Sequence, residues 1–335
     1  MLSGKLLPVH PKPLPDELIT SWIVRIAEAN AVKLHTLTRF LFGDHKRSPW
    51  VRDVARSGPD WLVDKISEVI GVSRNVVRGT TFDSYFRKVF PCKQVSGQLR
   101  WLLPAKIRSS NRLGYSIQYC PVCLSDDTHQ YFRRRWRMGF YTFCAVHGLM
   151  LLDACPQCDS PIVIHRRDFT VDVNQAGKIS QCHVCGLDMR VAPKITPDVY
   201  EKDVNALYFN LLSSFDNFHD RGMVYGLQYF AVLHHLCKLI VMMPNKGKLR
   251  THVARQIGIA DIDLARGRFP FEQRRVQERY YVISLALWLS QNLKERLRAA
   301  WEAGAVRYNL LLKDFPDPPK EYLNLVEPFN RRKKY

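Results

Sequence analysis

The sequence predicts a mainly α-helical protein with small zinc-ribbon modules in its middle. Two observations carry this: apolar residues recur at helical spacing in the first third and again after about residue 192, and between these stretches the cysteines fall in pairs separated by two residues. The expected division is an N-terminal helical, helix-turn-helix-like domain over 1–97, a tandem zinc-binding region over 98–192 and a C-terminal helical domain over 193–335. At about 100 to 200 residues per domain, 335 residues suffice for two or three cores.

In "LPDELITSWIVRIAEAN", Pro15 and Asp16 mark a helix start, with Asp16 expected to cap it, and Leu18, Ile19, Trp22, Ile23 and Ile26 share one face. "HTLTRFLFGD" repeats the pattern on a smaller scale and ends at Gly43, a C-cap. After the turn-rich "SPWVRDVARSGPD", a helix carrying Trp61, Leu62, Ile66, Val69 and Ile70 meets Gly71, and Ser73 then caps a second helix through Arg74, Asn75, Val76, Val77 and Arg78. This is the layout of a helix-turn-helix, with Arg74, Asn75 and Arg78 as candidate nucleic-acid contacts. A helical hairpin whose second helix packs inward fits the same residues.

Eight ligand-capable residues follow as four pairs: Cys120 and Cys123, Cys144 and His147, Cys155 and Cys158, Cys182 and Cys185. Two intervening residues let a tight knuckle aim both ligands at one metal, and two knuckles complete a tetrahedral zinc site. Four knuckles give two Zn2+ per chain. A redox pair would stand alone at a helix start within a βαβ pattern, which the spacing here does not suggest. Sequential pairing gives one site of Cys120, Cys123, Cys144 and His147 and one of Cys155, Cys158, Cys182 and Cys185; interleaved pairing uses the same ligands. Four protein ligands leave no position for water or substrate, so the metals are expected to hold the fold. His165 and His183 read as surface or supporting residues, and Cys92 and Cys237 have no partner at ligand spacing.

Within the first loop, "HQYFRRRWRMGFYTFC" places Phe132, Trp136, Phe140 and Phe143 at helical spacing. Aromatic packing inward would turn Arg133, Arg134, Arg135 and Arg137 outward, as a contact for phosphates or an acidic groove, or as a solvated face. The last third reads as helices over "DVNALYFNLLSSF", "GLQYFAVLHHLCKLIVMM" and "RRVQERYYVISLALWLSQNLKERLRAAWEAG". The prolines of "DFPDPPKEYLNL" are expected to prevent further regular helix before the basic tail "NRRKKY".

Fifty Lys and Arg against 31 Asp and Glu give a net charge of +19, a field that attracts DNA, RNA or another anionic partner. The proline-broken opening "MLSGKLLPVHPKPLP" lacks the apolar core of a signal peptide, and no stretch reaches the roughly 20 apolar residues of a membrane span. The expectation is a cytoplasmic chain with no membrane partner, whose nine cysteines are not disulfides. No Walker A loop, HExxH or nucleophile motif is present, so no enzymatic activity is expected.

Taken together, "LPVHPKPLPDELITSWIVRIAEAN", "YCPVCLSDD", the basic Trp-containing segment, "CAVHGLMLL", "CPQCDSPI" and "CHVCG" resemble the TniQ family of transposon proteins, relatives of the target selector TnsD. The resemblance spans residues 1 to 190 and is looser beyond. It implies a non-catalytic adaptor that helps choose the insertion site and recruits an AAA+ ATPase regulator, TnsC or TniB, which engages the transposase. It also implies zinc at the eight positions above. In some members the target-bound partner is a CRISPR effector, Cascade or a Cas protein with guide RNA; others, like TnsD, recognise an attachment sequence directly; some work as a homodimer. TnsD-type selectors are usually longer, with extra DNA-reading domains.

Overall fold

The computed structural model describes residues 6–43, 49–50, 52–93, 97–105, 114–166, 178–217, 225–242, 248–264 and 269–330, with the backbone alone at 108–109 and 112–113. The basic tail beyond Asn330 lies outside the described residues. Contacts divide the chain into two units, Met1–Thr196 and Pro197–Tyr335.

Helix dominates both. Among the described residues the only ladder is a minimal antiparallel pair, Arg108–Ser109 with Arg112–Leu113. In the first unit, α1 (Ile19–Ala29) buries Ile19, Trp22, Ile23 and Ile26, and also Val24, Arg25 and Ala27. It packs against α2 (Leu34–Phe42) and α3 (Val54–Ser57), and α4 (Asp60–Ile70) joins α2 to α5 (Arg74–Gly79). Gly43 ends α2 at φ 71°, with its N–H on the Arg39 carbonyl at 2.9 Å. Gly71 ends α4 in the left-handed region at φ 67°, where an added Cβ would lie 3.0 Å from Leu6. Ser73 caps α5 by accepting the Val76 N–H at 3.4 Å.

Asp16 does not cap α1. The cap position is Leu18, which offers no side-chain acceptor, and Asp16 sits at φ 57° with its carboxylate turned toward other segments. The cysteine-bearing segment is tied into the N-terminal helices by backbone bonds from Leu18 N–H to the Phe132 carbonyl (2.9 Å) and from Arg134 N–H to the Asp16 carbonyl (2.8 Å).

In the second unit, α10 (Val276–Gln291) is apolar and buried on almost every side, the mark of a central helix. Around it lie α7 (Lys202–Asp216), α8 (Leu227–Val241), α9 (Lys248–Ile257) and α11 (Leu293–Glu302). The long helix expected from "RRVQERYYVISLALWLSQNLKERLRAAWEAG" breaks at Asn292, at φ −134° and ψ 60°. Past the short α12 (Tyr308–Leu311), the prolines do not end helical structure: Pro319 precedes α13 (Lys320–Val326), since a proline is tolerated before the first turn, where no N–H is needed. Cys237 is buried and Cys92 exposed. No helix among the described residues is long and apolar enough to cross a membrane.

Candidate metal centre

Three of the four knuckles are the same backbone turn. The first ligand's N–H donates to a carbonyl five residues on, and its own carbonyl accepts from the residue four on: Leu149 and Gly148 for Cys144, Ser160 and Asp159 for Cys155, Leu187 and Gly186 for Cys182. The residue four on lies at positive φ each time, 64° at Gly148, 52° at Asp159 and 76° at Gly186, which suits Gly and Asp. Single β-bridges flank these turns, Phe143 with Met150, Ala154 with Pro161 and Gln181 with Asp188. The first pair is built differently: Cys120 and Cys123 lie one helical turn apart at the start of α6 (Pro121–Asp126), with Pro121 at its first position.

The knuckles close in sequential order, which removes the interleaved alternative. Cys120, Cys123, Cys144 and His147 bring their ligand atoms within 4.8 Å of one another, as do Cys155, Cys158, Cys182 and Cys185. His147 Nδ1 lies 3.6, 3.3 and 3.5 Å from the sulfurs of Cys120, Cys123 and Cys144. Sulfur pairs stand at 3.7 Å (Cys123 and Cys144), 3.5 Å (Cys155 and Cys185) and 3.7 Å (Cys158 and Cys182). A tetrahedron with Zn–S of about 2.3 Å and Zn–N of about 2.0 Å has edges of about 3.8 and 3.5 Å, so both sets fit one zinc each.

The two clusters differ in surroundings. In the first, all three cysteines are buried, and His147 turns its other nitrogen, Nε2, to Asp126 Oδ2 at 3.3 Å, an outer carboxylate that fixes the ring. Its sulfurs share charge unevenly: hydrogen bonds from Cys120 and Cys123 hold the Cys144 thiol well below its ordinary value. Cys123 pulls Cys120 down, but Cys144 and burial push it up to about 11. In the second, Cys158 is exposed and Cys185 partly so, and Ser160 Oγ lies 3.1 Å from Cys158 Sγ and 3.3 Å from Cys182 Sγ. Burial takes Cys155 up to about 12. Cys182 falls to about 6, because the N–H groups of Cys185 and Val184 and the Ser160 hydroxyl outweigh its own burial. A divalent cation supplies the positive charge that lets the remaining sulfurs ionise.

The arginine-rich segment does not face outward. It forms one 3-10 turn, Arg134–Arg137, and Arg133, Arg134 and Arg137 are buried together with Phe132, Trp136, Phe140 and Phe143. Three aspartates supply the counter-charges, Asp127 nearby and Asp16 and Asp53 far off in sequence. Arg133 meets Asp127 at 2.7 and 3.1 Å and lies over the Tyr131 and Trp136 rings. Arg134 meets Asp16 at 3.0 Å and donates to Ser84 Oγ and the Thr81 carbonyl. Arg135 reaches Asp16 at 3.2 Å, and Arg137 reaches Asp53 at 2.7 and 2.8 Å and the Leu103 carbonyl at 2.6 Å. Asp127 directly follows α6, which carries Cys123, so the arginine-rich turn joins the first cluster to the N-terminal helices.

The family-like motif "DELITSW" serves the same joint. Glu17 is buried on Arg25 at 2.8 Å, Ser21 Oγ accepts the Phe132 N–H at 2.8 Å, and Trp22 Nε1 donates to the Pro11 carbonyl at 2.8 Å. On α5, Arg74 pairs with Asp60 at 2.8 Å and with Asp64, and Arg78 pairs with Asp83 at 2.8 Å and Asp60 at 2.5 Å; Asn75 is exposed. His165 stacks on Trp50 at 4.8 Å and is not a ligand of either cluster. Asp126, Ser160 and the three aspartate partners of the arginines escaped sequence reasoning. The Gly or Asp after each loop knuckle was the one local signal of the turn.

A comparison with curated proteins gives no match. The second cluster and the second unit lie beyond the stretch that a family comparison covers. That stretch, residues 8–151, runs from the proline-rich lead through the arginine-rich turn and the whole first cluster and matches the TniQ family model.

Proposed function

We propose that this protein is a non-catalytic adaptor in the choice of transposition target. It links a target-DNA-bound complex, an RNA-guided CRISPR effector of the Cascade or Cas type, to an AAA+ regulator of the TnsC or TniB kind and so to the transposase. The observation that carries the reading is the TniQ match over a segment whose cluster is closed by four protein ligands. Cys120, Cys123, Cys144 and His147 would hold one zinc, and Cys155, Cys158, Cys182 and Cys185 a second. Neither metal has an open position for substrate, so the pair braces the unit that partners recognise.

A direct selector of the TnsD kind, reading DNA with α5, is supported by the capped two-helix layout and by exposed Asn75. Against it, Arg74 and Arg78 already neutralise Asp60, Asp64 and Asp83, so base contacts would first have to break these pairs. Co-purification of the tagged full chain tests the two. The adaptor reading expects capture of the AAA+ regulator and of the guide-RNA effector. Capture of neither, with a footprint on one DNA site in the absence of guide RNA, overturns it in favour of the selector.

A further inference from the structure

The two clusters differ in what can reach their sulfurs. Cys120, Cys123 and Cys144 of the first are 0, 6 and 2% exposed, whereas in the second the run Pro156, Gln157, Cys158 and Asp159 is exposed throughout. Cys158 Sγ therefore meets solvent while standing 3.7 Å from Cys182 Sγ, and the Ser160 hydroxyl lies against both sulfurs, at 3.1 and 3.3 Å. Zinc has no redox chemistry of its own, so an oxidant that reaches such a site acts on the sulfurs. Susceptibility follows exposure and thiolate character, and buried structural cysteines are inert. A disulfide bond is about 2.05 Å long, and at 3.7 Å the two sulfurs are already in contact, so a sulfenic acid formed on Cys158 has its resolving thiolate beside it.

We propose that the second cluster is an oxidation-sensitive metal centre that a peroxide opens, while the first cluster is not. The Cys158 thiolate attacks one peroxide oxygen and breaks the O–O bond, giving a sulfenic acid and hydroxide. The Cys182 thiolate then attacks the Cys158 sulfur, forming the S–S bond and expelling a second hydroxide. The two sulfurs lose two electrons, the peroxide gains them, and two protons from solvent turn the hydroxides into water. With two of its four ligands gone, the zinc leaves. Opening this site reaches further into the unit. Cys182 adjoins the bridge of Gln181 with Asp188, Met189 N–H donates to the Ser180 carbonyl at 2.7 Å, and the 3-10 turn Met189–Val191 packs on α6, which carries Cys123 of the first cluster. The proposal rests on the reading of both clusters as zinc sites.

The test treats the zinc-loaded full chain with hydrogen peroxide, in a Cys92→Ser parent because Cys92 is an exposed thiol outside both clusters. Zinc release is followed with a chromogenic chelator, after which the remaining thiols are alkylated in denaturant and mapped by mass spectrometry. The expected result is loss of one of the two zincs, a disulfide between Cys158 and Cys182, and Cys120, Cys123 and Cys144 all alkylated. Reductant and fresh zinc should restore the second site. Cys158→His keeps four ligands but removes the exposed sulfur, and it should hold its metal under the same peroxide; if that variant does not load, the parent chain alone decides. Retention of both zincs, release of both together, or a disulfide that leaves out Cys158 overturns the proposal. Untreated protein that binds no zinc overturns the metal reading itself, an outcome distinct from two bound zincs indifferent to peroxide.

Discussion

The Arg137 guanidinium lies on the Asp53 carboxylate through two parallel bonds of 2.7 and 2.8 Å, joining residues 84 positions apart. Arg137 is buried, and Asp53 also caps α3 by accepting the Arg56 N–H at 3.3 Å. Removing one partner leaves the other charge buried and unpaired, at a cost of about 3 to 5 kcal/mol. Asp53→Asn and Arg137→Met are each expected to lower the urea midpoint of the first unit strongly. The double variant should recover much of the loss, which a double-mutant cycle measures.

The ion pairs of α5 should behave in the opposite way. Asp60 is 70% exposed and Arg74 50%, so solvent screens them. Arg74→Ala is expected to change stability by less than about 1 kcal/mol, as judged by thermal unfolding. Loss of partner or DNA binding in this variant therefore reports recognition and not unfolding.

Asp126 is expected to matter to the first metal alone. Asp126→Asn removes the carboxylate beside His147 Nε2, and the resulting loss of zinc affinity should be about tenfold or more at the mixed site. Chelator competition on the two sites checks this, with the four-cysteine site unchanged.

Acid should release the metals. Without zinc, Cys120 at about 11 and Cys155 at about 12 hold their protons at neutral pH, so zinc must displace them. Lower pH favours the protonated, metal-free form, and affinity falls as pH falls. Competition titrations between about pH 6 and pH 8 should show a drop of about tenfold or more per unit, since at least one proton leaves per zinc.

Legibility in the sequence followed the range of the interactions. The eight ligands were readable because two-residue spacing is a local requirement of the knuckle. Their pairing was not, since sequential and interleaved closure use the same four turns. Helices such as Ile19–Ala29 and Asp60–Ile70 were legible from periodicity and from Gly71 and Ser73. The outward arginine face was misread for a specific reason. The aromatic spacing from Phe132 to Phe143 imitates a helix, whereas Asp16 and Asp53, which allow Arg134 and Arg137 to be buried, lie more than 80 residues earlier. Asp16 was assigned a local capping role because only its immediate neighbours were visible. The break at Asn292 and the helix after Pro319 likewise depend on packing within the second unit.

The central claim, that two closed metal centres brace the recruiting unit, is tested most directly by elemental analysis of the purified full chain combined with thiol titration. The account expects about two zinc per chain, with the seven ligand cysteines protected until a chelator is added. A chain that is folded and binds its partners while carrying no zinc, with its cluster thiols freely reactive, would contradict it.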